Sequence, residues 1–172
     1  MAPVFRTPRL TIRPFATADA DAVFAMWSDP EVCRYTGDDP PGDLSVIHAD
    51  IARWQTVADR GPGCGFWAVD ADRVGFVGDV YVRPMAGHPG EHEIGWHFAA
   101  PYWGRGYATE AATAALEHAH ALGVSRLVAT VDPGNHASLR VARKAGMLDE
   151  GISDRYNPAD PPEAVFASTR AQ

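Results

Sequence analysis

Trp103-Gly104-Arg105-Gly106-Tyr107-Ala108-Thr109-Glu110 is the stretch whose residue types and spacing point most directly to chemistry. Two glycines and a small alanine sit where a β-rich run gives way to a long helical pattern. Glycine lets the main chain turn sharply and lets a ligand approach it closely. A helix start adds unpaired N–H groups and the positive end of a dipole. Together these features make an anion cradle with pyrophosphate as its natural guest, and Arg105 is placed to add a charge-assisted bond. The same residues also suit a loop that only turns a corner. The spacing lacks the Gly-x-x-x-x-Gly-Lys-Ser/Thr of a P-loop and the Gly-x-Gly-x-x-Gly of a dinucleotide fold.

Titratable groups precede this loop. Along Glu91 to Phe98, strand alternation puts Glu91, Glu93, Gly95 and His97 on one face and His92, Ile94, Trp96 and Phe98 on the other. Glu93 and His97 are therefore candidate proton acceptors, His97 because its ordinary pKa lies near neutrality. A bulge would reverse the faces beyond it, and both side chains equally suit an exposed or salt-bridged strand. Beyond the loop, Asn135 fits an N-cap and Ser138 a hydroxyl in the first turn of a helix. The other histidines (His48, His88, His118, His120, His136) show no metal-ligand spacing with carboxylates or thiols, so no metal is expected. Cys33 and Cys64 stand at no motif spacing, which argues for idle thiols in a reducing compartment.

The elements that must position these groups follow from periodicity. Leu10 to Arg13 alternates as a half-buried strand does. Thr17 is expected to cap a helix carrying Ala20, Val23, Phe24 and Trp27 on one face, closed by Pro30. A turn-rich loop follows from Asp38 to Gly42. A second helix starts near Asp43, with Ile47, Ile51, Trp54 and Ala58 on one face, and Gly61-Pro62-Gly63 ends it. Phe66 to Val69 and Val74 to Val82 read as strands around an Asp70-Ala71-Asp72 turn. Glu91 to Phe98 and Arg126 to Val131 are further strands, and Ala164 to Thr169 is the last. The helix beginning at Gly106 bears a stripe of Ala108, Ala111, Ala112, Ala115, Leu116, Ala119 and Leu122, stopped by Gly123. Asn135 to Ala145 is a helix ended by Gly146. Strands that first pair as hairpins and then alternate with helices predict an α/β domain. It is expected to have a twisted mixed sheet of six or seven strands, flanked by about four helices, in one domain over residues 1–172.

Composition removes several function classes. A chain of 172 residues fits one core. A net charge of −7 gives no global field for nucleic acid or anionic lipid, so a polyanionic ligand must be held locally. Met1 to Leu10 lacks the apolar core of a signal peptide, and no apolar run reaches the length of a membrane span. The expected location is the cytoplasm.

Glu93-Ile94-Gly95-Trp96 followed by Ala100-Pro101-Tyr102 and the Trp103 to Ala111 stretch resembles the core of the GNAT acetyltransferases. Arg9-Leu10-Thr11-Ile12-Arg13-Pro14, Ser28-Asp29-Pro30-Glu31-Val32, Asn135-x-x-Ser138 and Lys144-Ala145-Gly146-Met147 are similar to the branch that acetylates N-terminal amines of ribosomal proteins. The likeness runs in order from about Arg9 to Gly151. It implies an N-acetyltransferase that moves the acetyl group of acetyl-CoA to a primary amine by direct transfer in a ternary complex, without a metal or covalent acyl-enzyme. The acceptor is a protein N-terminus, a polyamine-like metabolite or an aminoglycoside, shaped by the Cys33 to Val57 and Gly151 to Pro162 segments.

The resemblance further implies that Trp103, Gly104, Arg105, Gly106, Tyr107 and Ala108 hold the cofactor, with amides from Arg105 to Ala108 on its pyrophosphate. Main chain from Trp96 to Phe98 pairs with the pantetheine arm, and one amide polarises the acetyl carbonyl. The strands Glu91–Phe98 and Arg126–Val131 must splay to admit it. Asn135 is a further cofactor contact. Glu93 is the family-matched base, acting through water, and His97 the second choice. The superfamily often places Gln or Arg where Trp103 stands, whereas the terminal-amine branch often has Trp. At the position of Ala142 it commonly carries a tyrosine that protonates the leaving thiolate. Ser138 is then the candidate donor to the sulfur. Arg143 and Lys144 are read as helix-end cations, and Arg140 is left open toward the adenosine phosphate. Several members of the superfamily form homodimers. A rival reading is a non-catalytic acyl-CoA-binding sensor or regulatory module.

Overall fold

A computed structural model describes residues 4–37 and 39–170. Asp38, the first residue of the expected Asp38 to Gly42 loop, and Met1, where the leader reading began, lie outside the described residues. The chain order is β1 (Phe5–Arg6), β2 (Leu10–Pro14), α1 (Ala20–Trp27), α2 (Pro30–Cys33), α3 (Leu44–Gln55), β3 (Gly65–Ala71), β4 (Gly75–Pro84), β5 (Glu91–Phe98), α4 (Tyr107–Ala121), β6 (Arg126–Val131), α5 (His136–Lys144), β7 (Leu148–Ser153) and β8 (Glu163–Thr169). The strands make one eight-stranded sheet in the order β1-β2-β3-β4-β5-β6-β8-β7. The expected α/β class and mixed sheet hold, with eight strands rather than six or seven.

Strand alternation divides the interior between the two faces of this sheet. On β3, Trp67, Val69 and Ala71 enter a core shared with Ile12, Val80, Ile94 and Phe166. Phe66 and Ala68 point into a second core with Phe15, Val23, Ile47, Ile51 and Trp54. Helices α4 and α5 cover the first face, α1 and α3 the second. Ala111, Ala115 and Ala119 are fully buried between α4 and the sheet. Small side chains there let the helix axis lie close to the strands, so its first turn sits against the end of β5.

Local expectations are corrected at four places. Thr17 does not cap α1; it opens a 3₁₀ turn, Thr17–Asp19, whose Asp19 accepts from the Ala16 amide at 2.7 Å. Asp19 also joins Asp70 around the Arg13 guanidinium, so its carboxylate has stronger partners than a hydroxyl cap offers. Pro30 starts α2 instead of closing α1, because Asp29 caps it and proline suits the first helical position. Helix α3 ends at Gln55, and Val57 in the following 3₁₀ turn, not Ala58, is buried. The β3–β4 turn lies later than Asp70-Ala71-Asp72, at Ala71 to Gly75, where Arg73 and Gly75 take positive φ.

Pairing is antiparallel throughout except between β5 and β6. That parallel pairing covers only Glu91↔Arg126, His92↔Leu127 and Glu93↔Val128. Beyond it the strands part, while β4 stays paired with β5 through Phe98 and β8 with β6 through Val131. The closed end of this wedge is clamped by charge. Glu91 accepts from Arg126 at 3.1 Å, Arg155 at 2.6 Å and Tyr156 at 2.5 Å, and Arg126 forks onto Glu150 at 2.9 and 2.6 Å.

Candidate active site

The open wedge exposes main chain, and register tells which. Glu91 C=O accepts from Met85 and Ala99 N–H donates to Val77, so the odd-numbered residues of β5 turn their backbone groups toward β4. The pairing with β4 runs without a bulge. Trp96 and Phe98 therefore face the gap left by β6. The Phe98 carbonyl is taken by the Trp103 indole at 2.5 Å, which ties the glycine loop to the strand end.

The loop itself is held from the other end of the chain. Gly104 and Gly106 sit at φ +74° and +82°, a region where side chains are strained. Gly106 is the N-cap of α4 and offers no capping side chain, so no N-cap side chain takes the first helical amides. Arg9 braces the turn. Its Nη1 donates to the Arg105 carbonyl at 3.0 Å, its Nε to Glu110 at 2.7 Å, and its guanidinium lies 5.0 Å from the Tyr107 ring centre.

A groove of about 320 Å³ runs along this surface. Trp96, Phe98, Trp103, Gly104, Gly106, Tyr107, Ala108, Asn135 and Ser138 line it, as do Arg140 and Lys144. Of the expected cofactor contacts only Arg105 is not among its walls; that guanidinium lies over the Tyr102 ring at 5.6 Å. Arg143 turns away to Asp149 at 3.0 Å. A larger cavity of about 590 Å³ opens from the other side, walled by Trp27, Trp54, Phe66 and Tyr81 and by the carboxylates Asp50, Glu93, Asp132 and Glu163. Groove and cavity share Tyr35, Thr36, Trp96, His97, Asn135 and Ser138. They meet where the strands part.

At that junction Asn135 caps α5, accepting from the Ser138 amide at 3.1 Å, and the Ser138 hydroxyl has no hydrogen-bond partner among the described residues. Ala142 is fully buried under the same helix. The expected β5 face is present: Glu93, Gly95 and His97 all line the larger cavity. Both Glu93 oxygens are engaged, one by the Tyr81 hydroxyl at 2.6 Å and one by Arg83 Nε at 2.7 Å. Burial, reinforced by Glu93, pushes the Tyr81 hydroxyl well above its ordinary pKa, so it stays a donor. His97 Nδ1 lies 2.8 Å from Asp79, a fully buried carboxylate. Burial raises the Asp79 pKa, and His97 draws it back. Burial also raises Glu163, opposed by Thr130 and assisted by Asp132, Asp160 and Glu93.

Against known proteins, residues 9–148 match the family described as an acetyltransferase (GNAT) domain. The chain belongs to the GNAT acetyltransferases. It is 32% identical over 162 residues to the uncharacterized N-acetyltransferase YoaA of Bacillus subtilis (strain 168), covering 91% of this chain and 89% of that one. The solved structure of a GNAT-family acetyltransferase from Bacillus anthracis superposes with a TM-score of 0.81 at 27% identity, over 95% of this chain and 96% of that one. Mycobacterium smegmatis RimJ in complex with CoA-disulfide shares the fold with a TM-score of 0.75, at 24% identity over 93% and 81%.

In this GNAT enzyme the residues that sequence reading missed are mainly partners of those it found. Asp79 stands alone as a carboxylate within the apolar run Val74 to Val82, a signal that was legible. Tyr81 and Arg83 hold Glu93 from the neighbouring strand, and nothing in their spacing announces it. Arg9 belonged to a quoted motif without an assigned task.

Proposed function

We propose that this chain moves the acetyl group of acetyl-CoA directly to a primary amine in a ternary complex. The observation that carries the reading is the junction of groove and cavity at Trp96, His97, Asn135 and Ser138, where the β5–β6 pairing ends. The residues fit acetyl-CoA: a glycine turn without side chains, free amides at the start of α4, and unpaired main chain at Trp96 give a linear thioester its phosphate and amide partners. Acetyl-CoA supplies an acyl group activated by a thiol leaving group.

On the protein side, Gly104 to Ala108 bind the pyrophosphate and Trp96 and Phe98 pair with the pantetheine amides. The Trp96 main chain donates to the acetyl oxygen as it gains charge. The amine loses its proton to a group on the Glu93–His97 face, its lone pair forms the C–N bond, and the C–S bond breaks. Ser138 donates to the departing sulfur. The carboxylate-lined cavity suits a cationic amine before it is deprotonated. Cys33 and Cys64 are both buried thiols, in keeping with action in the cytoplasm.

Thiol release from acetyl-CoA, measured with peptides bearing free N-termini, polyamines and aminoglycosides, tests this. Acceptor-dependent release with at least one class is expected. Tight acetyl-CoA binding with no release on any amine would overturn it in favour of a non-catalytic binding module.

A further inference from the structure

Asp79 is the most deeply buried carboxyl group among the described residues. It sits in the middle of β4 with no solvent exposure, and its Oδ2 has no hydrogen-bond partner. A buried carboxylate left partly unsatisfied is unfavourable, so its presence asks for a reason beyond packing. Directly across the sheet it pairs in register with His97, and Oδ1 meets His97 Nδ1 at 2.8 Å. The imidazole is fixed from both sides as well, 4.6 Å from the Trp27 ring and stacked 5.9 Å from Tyr81. One ring nitrogen is thus engaged by a buried carboxyl group. Nε2 has no partner among the described residues, on a side chain 20% exposed that lines both the groove and the cavity.

Resting on the acetyl-transfer reading above, we propose that His97 Nε2 is the general base of this enzyme and that Asp79 is its positioning residue. Asp79 accepts the Nδ1 proton, which fixes the neutral tautomer with its lone pair on Nε2. Nε2 then takes the proton of the attacking amine as the C–N bond forms. The imidazolium is held by the Asp79 carboxylate until the proton leaves by way of the departing thiolate or solvent. Glu93 is less suited to the task, because Tyr81 and Arg83 occupy both of its oxygens. Its place is to hold Tyr81, whose ring braces the imidazole. The charged groups facing His97 are Asp79 from its own strand pair, the Glu93–Arg83 and Asp50–Arg53 pairs, and Asp39, Asp132 and Glu163 across the cavity.

The test has two arms. The first, independent of turnover, is ¹⁵N-resolved NMR of the histidine rings. His97 is expected to carry its neutral-form proton on Nδ1 in the wild type and to lose that preference in Asp79→Asn; an Nε2-protonated wild-type ring overturns the proposal. The second is kinetic, on an acceptor that the wild type acetylates. His97→Ala is expected to lower kcat by about 10²-fold or more with acetyl-CoA affinity unchanged, since general-base assistance is worth ~10²–10⁴-fold. Free imidazole should restore part of that rate. In Asp79→Asn the acid limb of the kcat/KM profile should move to lower pH, because the imidazolium has lost its anion. If Asp79→Asn does not fold, His97→Gln, which keeps a similar volume but takes no proton, must reproduce the kcat loss. Wild-type kcat in either His97 variant removes the base while leaving the acetyltransferase reading intact, whereas a wild type inactive on every amine fails that reading itself.

Discussion

Gly95 shows how one missing side chain organises the proposed catalytic face. The Tyr81 ring lies where its Cβ would be: a methyl built at that position falls 2.4 Å from Tyr81 Cζ. Gly95→Ala is therefore expected to push Tyr81 aside, break its bond to Glu93 and unstack His97, lowering kcat while acetyl-CoA affinity stays near wild type. Steady-state kinetics with calorimetry of acetyl-CoA binding checks this. Ser138 is judged by the same pair of measurements. Ser138→Ala should reduce kcat by about 10²-fold, the low end for hydrogen-bond or acid assistance, and a loss confined to KM would mean uniform binding. Glu163 gives a pH test. Its pKa in the folded chain lies above the ordinary 4.5, so folding favours the protonated form. That contribution is full below the ordinary value and is lost as pH rises through the raised one. Glu163→Gln should accordingly melt higher than wild type at neutral pH, with the difference disappearing near pH 4.

Helix α4 is the element on which the site depends, because its packing places the cradle. Ala115 is fully buried against the sheet, and Ala115→Leu should destabilise by about 1–3 kcal/mol through overpacking, read as a lower denaturation midpoint with unchanged slope. At the helix start, Gly106→Asp puts a strained residue and a carboxylate where the proposed reading seats the pyrophosphate. A folded variant with severely weakened acetyl-CoA binding by calorimetry is expected, and unchanged affinity would remove the cradle assignment. This helix was also the most legible part of the sequence, since its alanine stripe and flanking glycines agree with one another. Strand β5 was legible for the same reason: its alternation matched the two faces it serves. Strand β7 was not. Leu148 and Ile152 remain 69% and 62% exposed, so no buried face imprinted a period on the segment, and main-chain pairing with β8 holds it in place. The helix start expected at Thr17 was misplaced and Pro30 was read as a stop, because the carboxylates of Asp19 and Asp29 outcompeted the expected signals. At the site, Glu93, His97, Asn135 and Ser138 were readable as candidates, whereas the hold of Tyr81 and Arg83 on Glu93 and the pairing of Asp79 with His97 are made across strands, where chain spacing carries no trace of contact.

At the scale of the whole molecule, the sheet is two rafts moored together by three residue pairs. Five strands lie on one side of the β5–β6 seam and three on the other, with the Glu91–Arg126 clamp at one end and open water at the other. A ligand whose amide-bearing arm lies in the seam takes the place of the absent rungs. Such a ligand is a strut as well as a reactant, and it stiffens the two rafts against each other when it is bound. At 100 times its dissociation constant it should add about 2.7 kcal/mol of stability. Hydrogen exchange at the Trp96 and Phe98 amides, and on the facing edge of β6, should slow more than exchange in the distant β1–β2 and β7–β8 ribbons. On the proposed reading, release of the product thiol should loosen the seam again, so the breathing of this joint is expected to couple to the exchange of one spent cosubstrate for the next.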